Sequence, residues 1–496
     1  MNRIFSSQQQ QIITAAANPA GGNMIVYAKA GTGKSTVIIE GVCPVLSGST
    51  VYLAFGADPA KEAKERIAKL GLDNVKASTC HSAGFGVYRR AHKCIVDDNK
   101  LSKLAYDHFN DQHEQLRPFV IAACKMSKQA GIGVVNSTDN VDAWMEMCDK
   151  HNIWETLPED VNHEDGINAA QYLLDCNNSF KRVIDFSDMI YMPLVLNLPF
   201  WKYDNVLIDE AQDINPTRRE MVSRMLKKGG RLIAVGDENQ AIFGFTGADH
   251  NSLDLIKEQF NCNTFPLSVT YRCPKAIVKV AQQWVSDYTA HEDAPDGIED
   301  SCELQDIVKL AGGQDSILCR NTKPLVSLAY SLLRDGVACK VEGRKIGEGL
   351  VTLAQRWKSV KSVGELRSKV EQWATNEIER AIAKEDNTKA QNVDDKAKTL
   401  EVFMSQCDDE DGIAILVAKI RSLFDNNVKG VLTLSTIHKA KGREWGRVFC
   451  LGMNAYSPSK FAKKDWELKQ EDHLCYVQVT RAKSHLTLVN VPAKVS

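Results

Sequence analysis

The sequence of 496 residues lacks the features that mark several classes of protein. Its 14 cysteines include no C-x-x-C pair, which argues against a zinc ribbon and a thioredoxin-like motif and favours buried thiols in a reducing compartment. No run approaches the roughly 18 apolar residues that span a bilayer, and the N-terminus has no apolar signal-peptide core. Internal repeats and Gly/Ser linkers are also missing. We therefore expect a globular cytoplasmic protein without a membrane partner.

An excess of charge of one sign is missing as well, since the formal net charge is only -2. This balance neither indicates nor excludes nucleic acid, because a local groove can be basic while the whole chain is neutral. A single hydrophobic core stops growing at roughly 250 to 300 residues. The chain exceeds this length, so we expect at least two domains.

Short apolar runs recur between helical patterns, which predicts parallel sheets buried on both faces and an α/β fold with two sheets. The runs are MIVYA (24–28), VYLAF (51–55), NVLID (205–209), RLIAV (231–235), SILC (316–319), VLTLS (431–435), VFCLG (448–452) and LTLVNV (486–491). Residues 88–180 and 347–428 carry helical patterns instead and are predicted to be helical insertions. The predicted sheet domains are residues 1–87 with 181–265, and residues 266–346 with 429–496.

A glycine-rich turn lies between a strand and a helix in MIVYAKAGTGKST (24–36). Backbone N–H groups of such a turn surround phosphate oxygens, and the helix N-terminus adds partial positive charge. Lys34 would reach the β- and γ-phosphates of ATP, and Ser35 would offer its hydroxyl to Mg²⁺. The predicted cofactor-binding residues here are Ala28, Ala30, Gly31, Thr32, Gly33, Lys34, Ser35 and Thr36. Ala28 stands where the motif usually has glycine.

A second apolar strand ends in adjacent carboxylates in NVLIDEAQD (205–213). Two such groups repel each other without a cation, so Asp209 is predicted to hold Mg²⁺ and Glu210 to polarise the attacking water. Alone, this segment could also be a solvated turn rich in helix-capping acids. The phosphate-binding pattern upstream favours ATP hydrolysis.

Two aromatic residues, Phe243 and Phe245, follow a third strand in VGDENQAIFGFTGAD (235–249). Exposed rings gain nothing from water, which suggests that a flat group lies on them. The alternative is a core plug between sheet and helix, and we favour that alternative for Phe243.

Nine segments occur in the order typical of the UvrD/Rep-like superfamily 1 DNA helicases, which the sequence resembles. They are FSSQQQQII, AGTGKST, LAFGADPAKEAKERI, STCHSAG, IDEAQD, VGDENQAIFGFTGAD, VTYRCP, TIHKAKGREW and YVQVTRAK, between residues 5 and 483. The resemblance implies two RecA-like domains with ATP and Mg²⁺ at their interface, each interrupted by a helical subdomain. Both insertions are short for that family.

The resemblance also implies nucleotide contacts beyond the glycine-rich turn. Gln9 would read the adenine edge, Tyr271 would stack on adenine, and Glu444 would lie near the ribose, with Gly442 among the binding residues. Gln240 would sense the γ-phosphate through the attacking water.

Two arginines would bind the γ-phosphate by the same resemblance, Arg272 directly and Arg481 as an arginine finger. Guanidinium groups stabilise the charge that builds on phosphoryl oxygens in the transition state. For Arg481, the alternative is an arginine that holds the C-terminus of a helix.

Contacts to single-stranded DNA are implied for Phe55, Thr79, His81, Phe245 and His438. Base stacking on an aromatic ring is worth about 1 to 3 kcal/mol and tolerates any base, which suits a motor that steps along every nucleotide.

Three departures from the family pattern indicate lighter contacts. Thr246 replaces the usual Arg after the stacking aromatic, and Ala57 and Asp58 replace the common Asn-Lys after Phe55. Thr36 stands where the family commonly has Arg.

The function expected from these features is an ATP-dependent 3′ to 5′ single-stranded DNA translocase and helicase of a bacterial or phage-infected cell, associated with the nucleoid. Its partners would be single-stranded DNA, duplexes with a 3′ single-stranded tail and proteins that load it. Three alternatives stay open: a DNA-stimulated ATPase that strips proteins or acts as a sensor in a larger complex without robust unwinding, a non-motor ATP switch, and an RNA track.

Overall fold

Strands form at the short apolar runs of the sequence, and helices form between them. The computed structural model describes residues 4–110, 113–242, 251–383, 387–424 and 431–492. The chain divides into two units, Met1–Ser268 and Val269–Ser496. Each unit is built on its own six-stranded sheet.

The sheet of the first unit has the strand order β3-β2-β6-β7-β1-β8, and all its neighbouring strands are parallel. Strands β4 and β5 form a separate two-stranded parallel pair. The strands of this unit are β1 Met24–Ala28, β2 Thr50–Ala54, β3 Val75–Thr79, β4 Ile95–Val96, β5 Val183–Ile184, β6 Tyr203–Ile208, β7 Leu226–Gly236 and β8 Asn263–Leu267.

Helices cover both faces of this sheet. Successive side chains of a strand point to opposite faces, and here both faces are apolar and need cover. In β1, Met24 and Val26 join one buried apolar cluster, whereas Ile25 joins another on the opposite face. The helices are α1 Ser7–Ala17, α2 Lys34–Thr36, α3 Ala57–Lys69, α4 Cys80–Ala91, α5 Lys100–His108, α6 Arg117–Ala130, α7 Val141–Lys150, α8 His163–Ser179, α9 Asp188–Val195, α10 Pro216–Met225 and α11 Ser252–Phe260.

Helices α5 to α8 pack around an apolar core of their own, with Phe119 and Trp144 fully buried at its centre. These helices lie within the predicted first insertion. A side chain on α9, Tyr191, belongs to the same core and so ties it to the sheet unit.

A buried charged network also joins these helices to α9. Lys128 Nζ lies 2.6 Å from Asp185 Oδ2 and 2.9 Å from Asp188 Oδ1, and Lys100 Nζ lies 2.7 Å from Asp188 Oδ2. Asn177 donates to Asp188 Oδ1 at 3.1 Å. Burial opposes the charged form of Asp188, but Lys128 and Lys100 outweigh it and hold the pKa of this carboxyl below its usual range.

The sheet of the second unit has the strand order β11-β16-β15-β12-β14-β13, again with parallel neighbours throughout. Strands β9 and β10 form a separate parallel pair. The strands are β9 Val269–Thr270, β10 Thr289–Ala290, β11 Ile298–Glu303, β12 Ser316–Cys319, β13 Cys339–Val341, β14 Leu432–Thr436, β15 Trp445–Leu451 and β16 Ala482–Asn490.

Helices α15 to α18 of the second unit share one continuous core with its sheet. Leu366, Phe403 and Leu416 on these helices belong to the same buried cluster as Ile317 and Leu434 on the strands. The helices of this unit are α12 Lys275–Ala281, α13 Ile307–Leu310, α14 Thr322–Arg334, α15 Arg344–Ala354, α16 Val363–Ala383, α17 Asn387–Met404, α18 Ile413–Leu423, α19 Ile437–Ala440, α20 Met453–Tyr456 and α21 Asp465–Val479.

The predicted fold class is confirmed: both units are α/β, each with a parallel sheet, and both contain mainly helical segments between strands. The predicted bounds of the domains stay a prediction. Helix α15 begins at Arg344, before the expected start of the second insertion at residue 347. Among the described residues, no helix has both the length and the apolar character needed to cross a bilayer.

We expect Asp188→Asn to lower the free energy of unfolding by about 3 to 5 kcal/mol, because it leaves two buried ammonium groups facing a single carboxylate. Denaturant unfolding of the full chain measures this loss. The lowered pKa of Asp188 means that its contribution is present above the ordinary aspartate pKa of about 4 and is lost as pH falls through the lower folded value.

The matched control for this experiment is Asp97→Asn, which removes the partner of the exposed Lys103. This variant should leave the unfolding midpoint nearly unchanged, since solvent screens such pairs. A wild-type midpoint in Asp188→Asn would contradict the stabilising role of the buried network.

Candidate active site

The candidate site of the first unit lies where the strands of its sheet end. Parallel strands place their carboxyl ends at one edge, where ligands of open α/β sheets bind. Strand β1 leads into the glycine-rich turn, β6 into Asp209, and β7 into Asp237. Strand β2 leads into Phe55, and β3 ends at Thr79.

Residues 29–33 form the glycine-rich turn between β1 and the helix that starts at Lys34. Gly31 and Gly33 have φ of 69° and 81°, a left-handed conformation that costs little only without a Cβ. The hydroxyl of Thr32 donates to the carbonyl of Lys29 at 2.8 Å and closes the turn. Ala28 is the buried last residue of β1, so its methyl group packs in the apolar core.

Lys34 and the acidic pair Asp209 and Glu210 meet at this edge. Lys34 Nζ lies 3.3 Å from Glu210 Oε1. Burial alone would lower the pKa of Lys34, but the carboxylates of Glu210, Asp237 and Asp209 together raise it above its ordinary value. Glu210 has a left-handed backbone with φ of 54°, a strained conformation for a residue with a side chain. The structure therefore holds a charged lysine against the predicted catalytic carboxylate.

The predicted metal ligands, Ser35 and Asp209, are also brought together, with Ser35 Oγ donating to Asp209 Oδ2 at 2.7 Å. Neighbouring oxygens of a Mg²⁺ octahedron with bonds of about 2.0 to 2.1 Å lie about 2.9 Å apart, so the spacing suits this ion. Burial and the charge of Glu210 raise the pKa of Asp209, although Lys34 opposes them. A divalent cation would offset both the burial of the Asp209 charge and its repulsion from Glu210. The residues present thus fit Mg²⁺.

A chain of hydrogen bonds connects the acidic pair to Gln240. Gln212 donates to Glu210 Oε2. The side-chain oxygen of Gln212 accepts from the backbone N–H of Asp237 at 3.0 Å. Gln240 Nε2 donates to Asp237 Oδ2 at 2.6 Å, and Gln212, Asp237 and Gln240 are all buried. Gln212 and Asp237 therefore connect Gln240 to Glu210 through direct hydrogen bonds.

The sequence reasoning missed Gln212 and Asp237 as parts of this site. Both stand in the segments DEAQD and VGDENQ, Asp237 directly after β7 and Gln212 four residues after the end of β6. Buried polar groups at strand ends need partners, and that requirement was the available signal.

Gln9 and Thr36 contact the turn and its helix from the side. Gln9 Nε2 donates to the carbonyl of Thr32 at 3.2 Å, and Gln9 also forms a capping box with Ser6 at the start of α1. Thr36 Oγ1 accepts from Arg66 Nη2 at 3.1 Å. Arg66 in turn pairs with Glu40 at 2.6 Å. The adenine role of Gln9 and the cofactor role of Thr36 stay predictions.

Three of the residues predicted to contact DNA line one cavity of about 130 Å³ at the same sheet edge, namely Phe55, Thr79 and His81. Phe55 is half-buried, and Thr79 caps α4 by accepting from the N–H of Ser82 at 3.0 Å. The ring of Phe186, 54% exposed, stands edge-on to His81 at 6.4 Å between centroids and was not predicted. An exposed ring at this position adds a stacking surface. Phe243 and Phe245 lie outside the described residues.

Asp209 also lines this cavity. The same carboxylate therefore borders both the cluster of Lys34, Ser35 and Glu210 and the predicted DNA contacts of the first unit.

In the second unit, Arg272 and Glu444 lie together. Arg272 Nε is 2.5 Å from Glu444 Oε2, and Lys483 Nζ is 3.6 Å from Glu444 Oε1. Tyr271 is 47% exposed, and its ring lies 4.9 Å from that of His291. These positions leave the predicted roles of Tyr271, Arg272 and Glu444 as predictions.

Arg481 is buried in its own unit, with 1% of its surface exposed. Its Nε donates to the carbonyl of Val477 in the last turn of α21 at 2.9 Å, and its Nη2 donates to Thr480 Oγ1 at 3.1 Å. Burial, and then the charge of Arg272, lower the pKa of Arg481 to about 10. This geometry matches the alternative of a helix-holding arginine, and the arginine finger stays a prediction.

The remaining predicted residues of the second unit lie on two adjoining segments. His438 is half-buried on α19, and burial lowers its pKa to about 3, with Arg320 and Lys441 adding to the effect. Its ring is therefore neutral near pH 7. Gly442 has φ of 82°, which favours glycine at this turn.

Comparison with known families decides the relationship. The UvrD/REP helicase N-terminal domain matches residues 6–261, which is more than half of the chain. The UvrD-like helicase C-terminal domain matches residues 341–491. The chain belongs to the UvrD-like helicase family. The resemblance of the nine segments is thus confirmed.

Similar family members include ATP-dependent DNA helicase PcrA of Staphylococcus aureus (strain Mu50), 25% identical over 319 residues, or 60% of this chain and 42% of PcrA. Two others are the probable DNA helicase II homologs of Mycoplasma pneumoniae, 27% identical over 59% of this chain and 44% of the homolog, and Mycoplasma genitalium, 25% identical over 58% and 43%. The matched region spans less than half the length of these UvrD-like relatives.

We expect ATP with Mg²⁺ to raise the unfolding temperature of the wild-type protein and to have no such effect on Lys34→Ala. A ligand that binds only the folded state stabilises it by about 2.7 kcal/mol at 100 times its Kd, and Lys34 supplies the buried cation of this site. Thermal unfolding with and without ligand measures the difference. Lys64→Ala, an exposed lysine on α3, is the control and should respond like the wild type. An equal shift in Lys34→Ala would place the nucleotide elsewhere.

Proposed function

We propose that this UvrD-like helicase is an ATP-dependent 3′ to 5′ single-stranded DNA translocase that unwinds duplex DNA. The observation that carries the proposal is the position of Asp209, between the lysine–serine–glutamate cluster and the aromatic cavity at one sheet edge. Because Asp209 would belong to both the ATP site and the strand site, a change of nucleotide at the first site can change the binding of DNA at the second. The polarity rests on the family resemblance.

In the proposed reaction, Lys34 binds the β- and γ-phosphates. Ser35 and Asp209 would hold Mg²⁺, which would neutralise charge on the phosphate oxygens. Glu210 accepts the proton of the attacking water. The strained backbone of Glu210 and its bonds to Lys34 and Gln212 fix the carboxylate in place. Fixing the base before reaction avoids reorganisation during the proton transfer.

Gln240 would orient the attacking water and transmit its state through Asp237 and Gln212. Arg272 and Arg481 would stabilise negative charge on the γ-phosphate in the transition state. Arg481 must first exchange its bonds to Val477 and Thr480 for phosphate contacts. This exchange replaces neutral acceptors by a charged one, which makes stronger hydrogen bonds.

The strand would bind at the cavity of the first unit. Phe55 offers a ring for a nucleobase, and the exposed ring of Phe186 near His81 extends the aromatic surface. Stacking of about 1 to 3 kcal/mol per base holds a strand without regard to sequence. Such contacts suit DNA single strands and the 3′ tail of a duplex.

We expect single-stranded poly-dT to increase the steady-state ATPase rate of the wild type, with Lys34→Ala as the blank. Glu210→Gln should still bind ATP but lower kcat at least about 100-fold, because it loses the general base and keeps the shape of the side chain. A DNA-independent rate would favour the switch protein. Near-normal turnover by Glu210→Gln would remove Glu210 as the catalytic base.

Duplexes with a 3′ or a 5′ single-stranded tail then test the direction. The proposal requires ATP-dependent strand separation with the 3′ tail and little with the 5′ tail. Stimulated hydrolysis with no separation on either duplex would instead support the ATPase that strips proteins or acts within a larger complex.

A further inference from the structure

Arg218 lies beside the ring of Phe55, although no sequence motif marked it. It is in the first turn of α10, which begins at Pro216 after the capping residue Asn215. Its guanidinium carbon is 5.0 Å from the centroid of the Phe55 ring. Arg218 lines the cavity that Phe55, Thr79 and His81 also line. The cation therefore faces the surface where the strand is proposed to bind.

The charge of Arg218 has little compensation within the protein. Its Nη1 donates to the carbonyl of Asp213 at 3.2 Å, whereas its Nε is buried and has no hydrogen-bond partner. Within the described ranges, no carboxylate forms an ion pair with it, in contrast to Arg224 on the same helix, which pairs with Glu220 at 2.8 Å. A partly buried cation without a counter-charge costs free energy. A bound anion would remove that cost.

Arg218 is also the permanent cation among the described residues that line the cavity. Burial, and then the charge of Arg218, lower the pKa of His81 to about 4, so His81 is neutral near pH 7. The positive charge next to Phe55 therefore comes from α10.

The position of Arg218 compensates for a cation that is missing from the segment after Phe55. Ala57 and Asp58 replace the Asn-Lys pair that commonly follows the aromatic residue, so the segment after Phe55 provides no cation at these two positions. A guanidinium can lie over an aromatic ring and still direct two N–H groups to one phosphate, which an ammonium cannot do. Arg218 on α10 is thus suited to contact both the ring of Phe55 and a phosphate of the strand.

We propose that Arg218 binds the sugar–phosphate backbone of the DNA nucleotide whose base stacks on Phe55. The inference rests on the proposed function, because it names a further contact at the same strand site. Binding of single strands with several phosphates releases condensed counterions, and each neutralised phosphate contributes about 0.7 to the slope of log affinity against log salt. This slope distinguishes a phosphate contact from simple support of the ring.

The test measures Kd for fluorescein-labelled oligo-dT by fluorescence anisotropy over a range of salt concentrations, with the full chain. Arg218→Gln should weaken binding about tenfold at low salt, the size expected for one lost charge-assisted hydrogen bond, and reduce the slope by about 0.7. Arg218→Lys should keep the slope and bind more weakly than the wild type. The control Arg224→Gln removes a paired arginine of α10 and should change neither Kd nor slope.

Wild-type Kd and slope in Arg218→Gln would overturn the inference and leave the proposed function intact. Weaker binding with an unchanged slope would also overturn it, because Arg218 would then only support the ring of Phe55. If Arg218→Gln melts at a lower temperature, Arg218→Lys decides, and wild-type affinity in that variant excludes a guanidinium-specific contact. Absence of oligo-dT binding by the wild type would remove the proposed function and this inference together.

Discussion

Two adjacent carboxylates at the end of β6 impose the constraint on which the site depends. Asp209 and Glu210 repel each other, and Asp209 is only 6% exposed, so each needs partners from other elements. Tyr52 and Ser35 donate to Asp209, whereas Lys34 and Gln212 contact Glu210. Strand β2, the helix after the glycine-rich turn and the segment after β6 are thereby held at one sheet edge. Lys34 does not neutralise both carboxylates, and the remaining negative charge would attract the Mg²⁺ of a magnesium–nucleotide complex.

The same sheet edge carries both the candidate ATP site and the candidate strand site. Asp209 borders the cavity of Phe55, and a chain of buried polar groups runs from Glu210 to Gln240. Breaking one contact of this chain would leave a buried polar group without a partner, which costs free energy. A change in the charge at Asp209 would therefore alter the electrostatics of the cavity proposed to bind the strand.

Most of the fold follows from local sequence, and the exceptions share a cause. All eight predicted apolar runs overlap strands of the two six-stranded sheets. The four strands of these sheets that were not predicted, β3, β8, β11 and β13, are the edge strands. An edge strand is incompletely covered, so β11 can read IEDSCE without an apolar run. In the site, the two motifs predicted that Lys34 and Glu210 act on the same ATP, and the structure places their side chains 3.3 Å apart. Two other contacts are the hydrogen bond from Arg481 to the carbonyl of Val477 and the position of Arg218 beside the ring of Phe55. Both depend on how the chain folds around these residues, which no local pattern reveals.

In the proposed mechanism, ATP and a DNA strand bind sites that share Asp209, and each ligand changes the affinity for the other. The most direct measurement is the Kd of the full chain for oligo-dT with no nucleotide, with ADP and Mg²⁺, and with a non-hydrolysable ATP analogue and Mg²⁺, paired with the Kd of each nucleotide with and without DNA. Thermodynamic linkage requires that a nucleotide changes the Kd for DNA by the same factor by which DNA changes the Kd for that nucleotide. Such factors are typically about 5- to 150-fold. We predict that DNA affinity differs between the ADP and ATP-analogue states by such a factor. Equal DNA affinity in all three states would contradict the account.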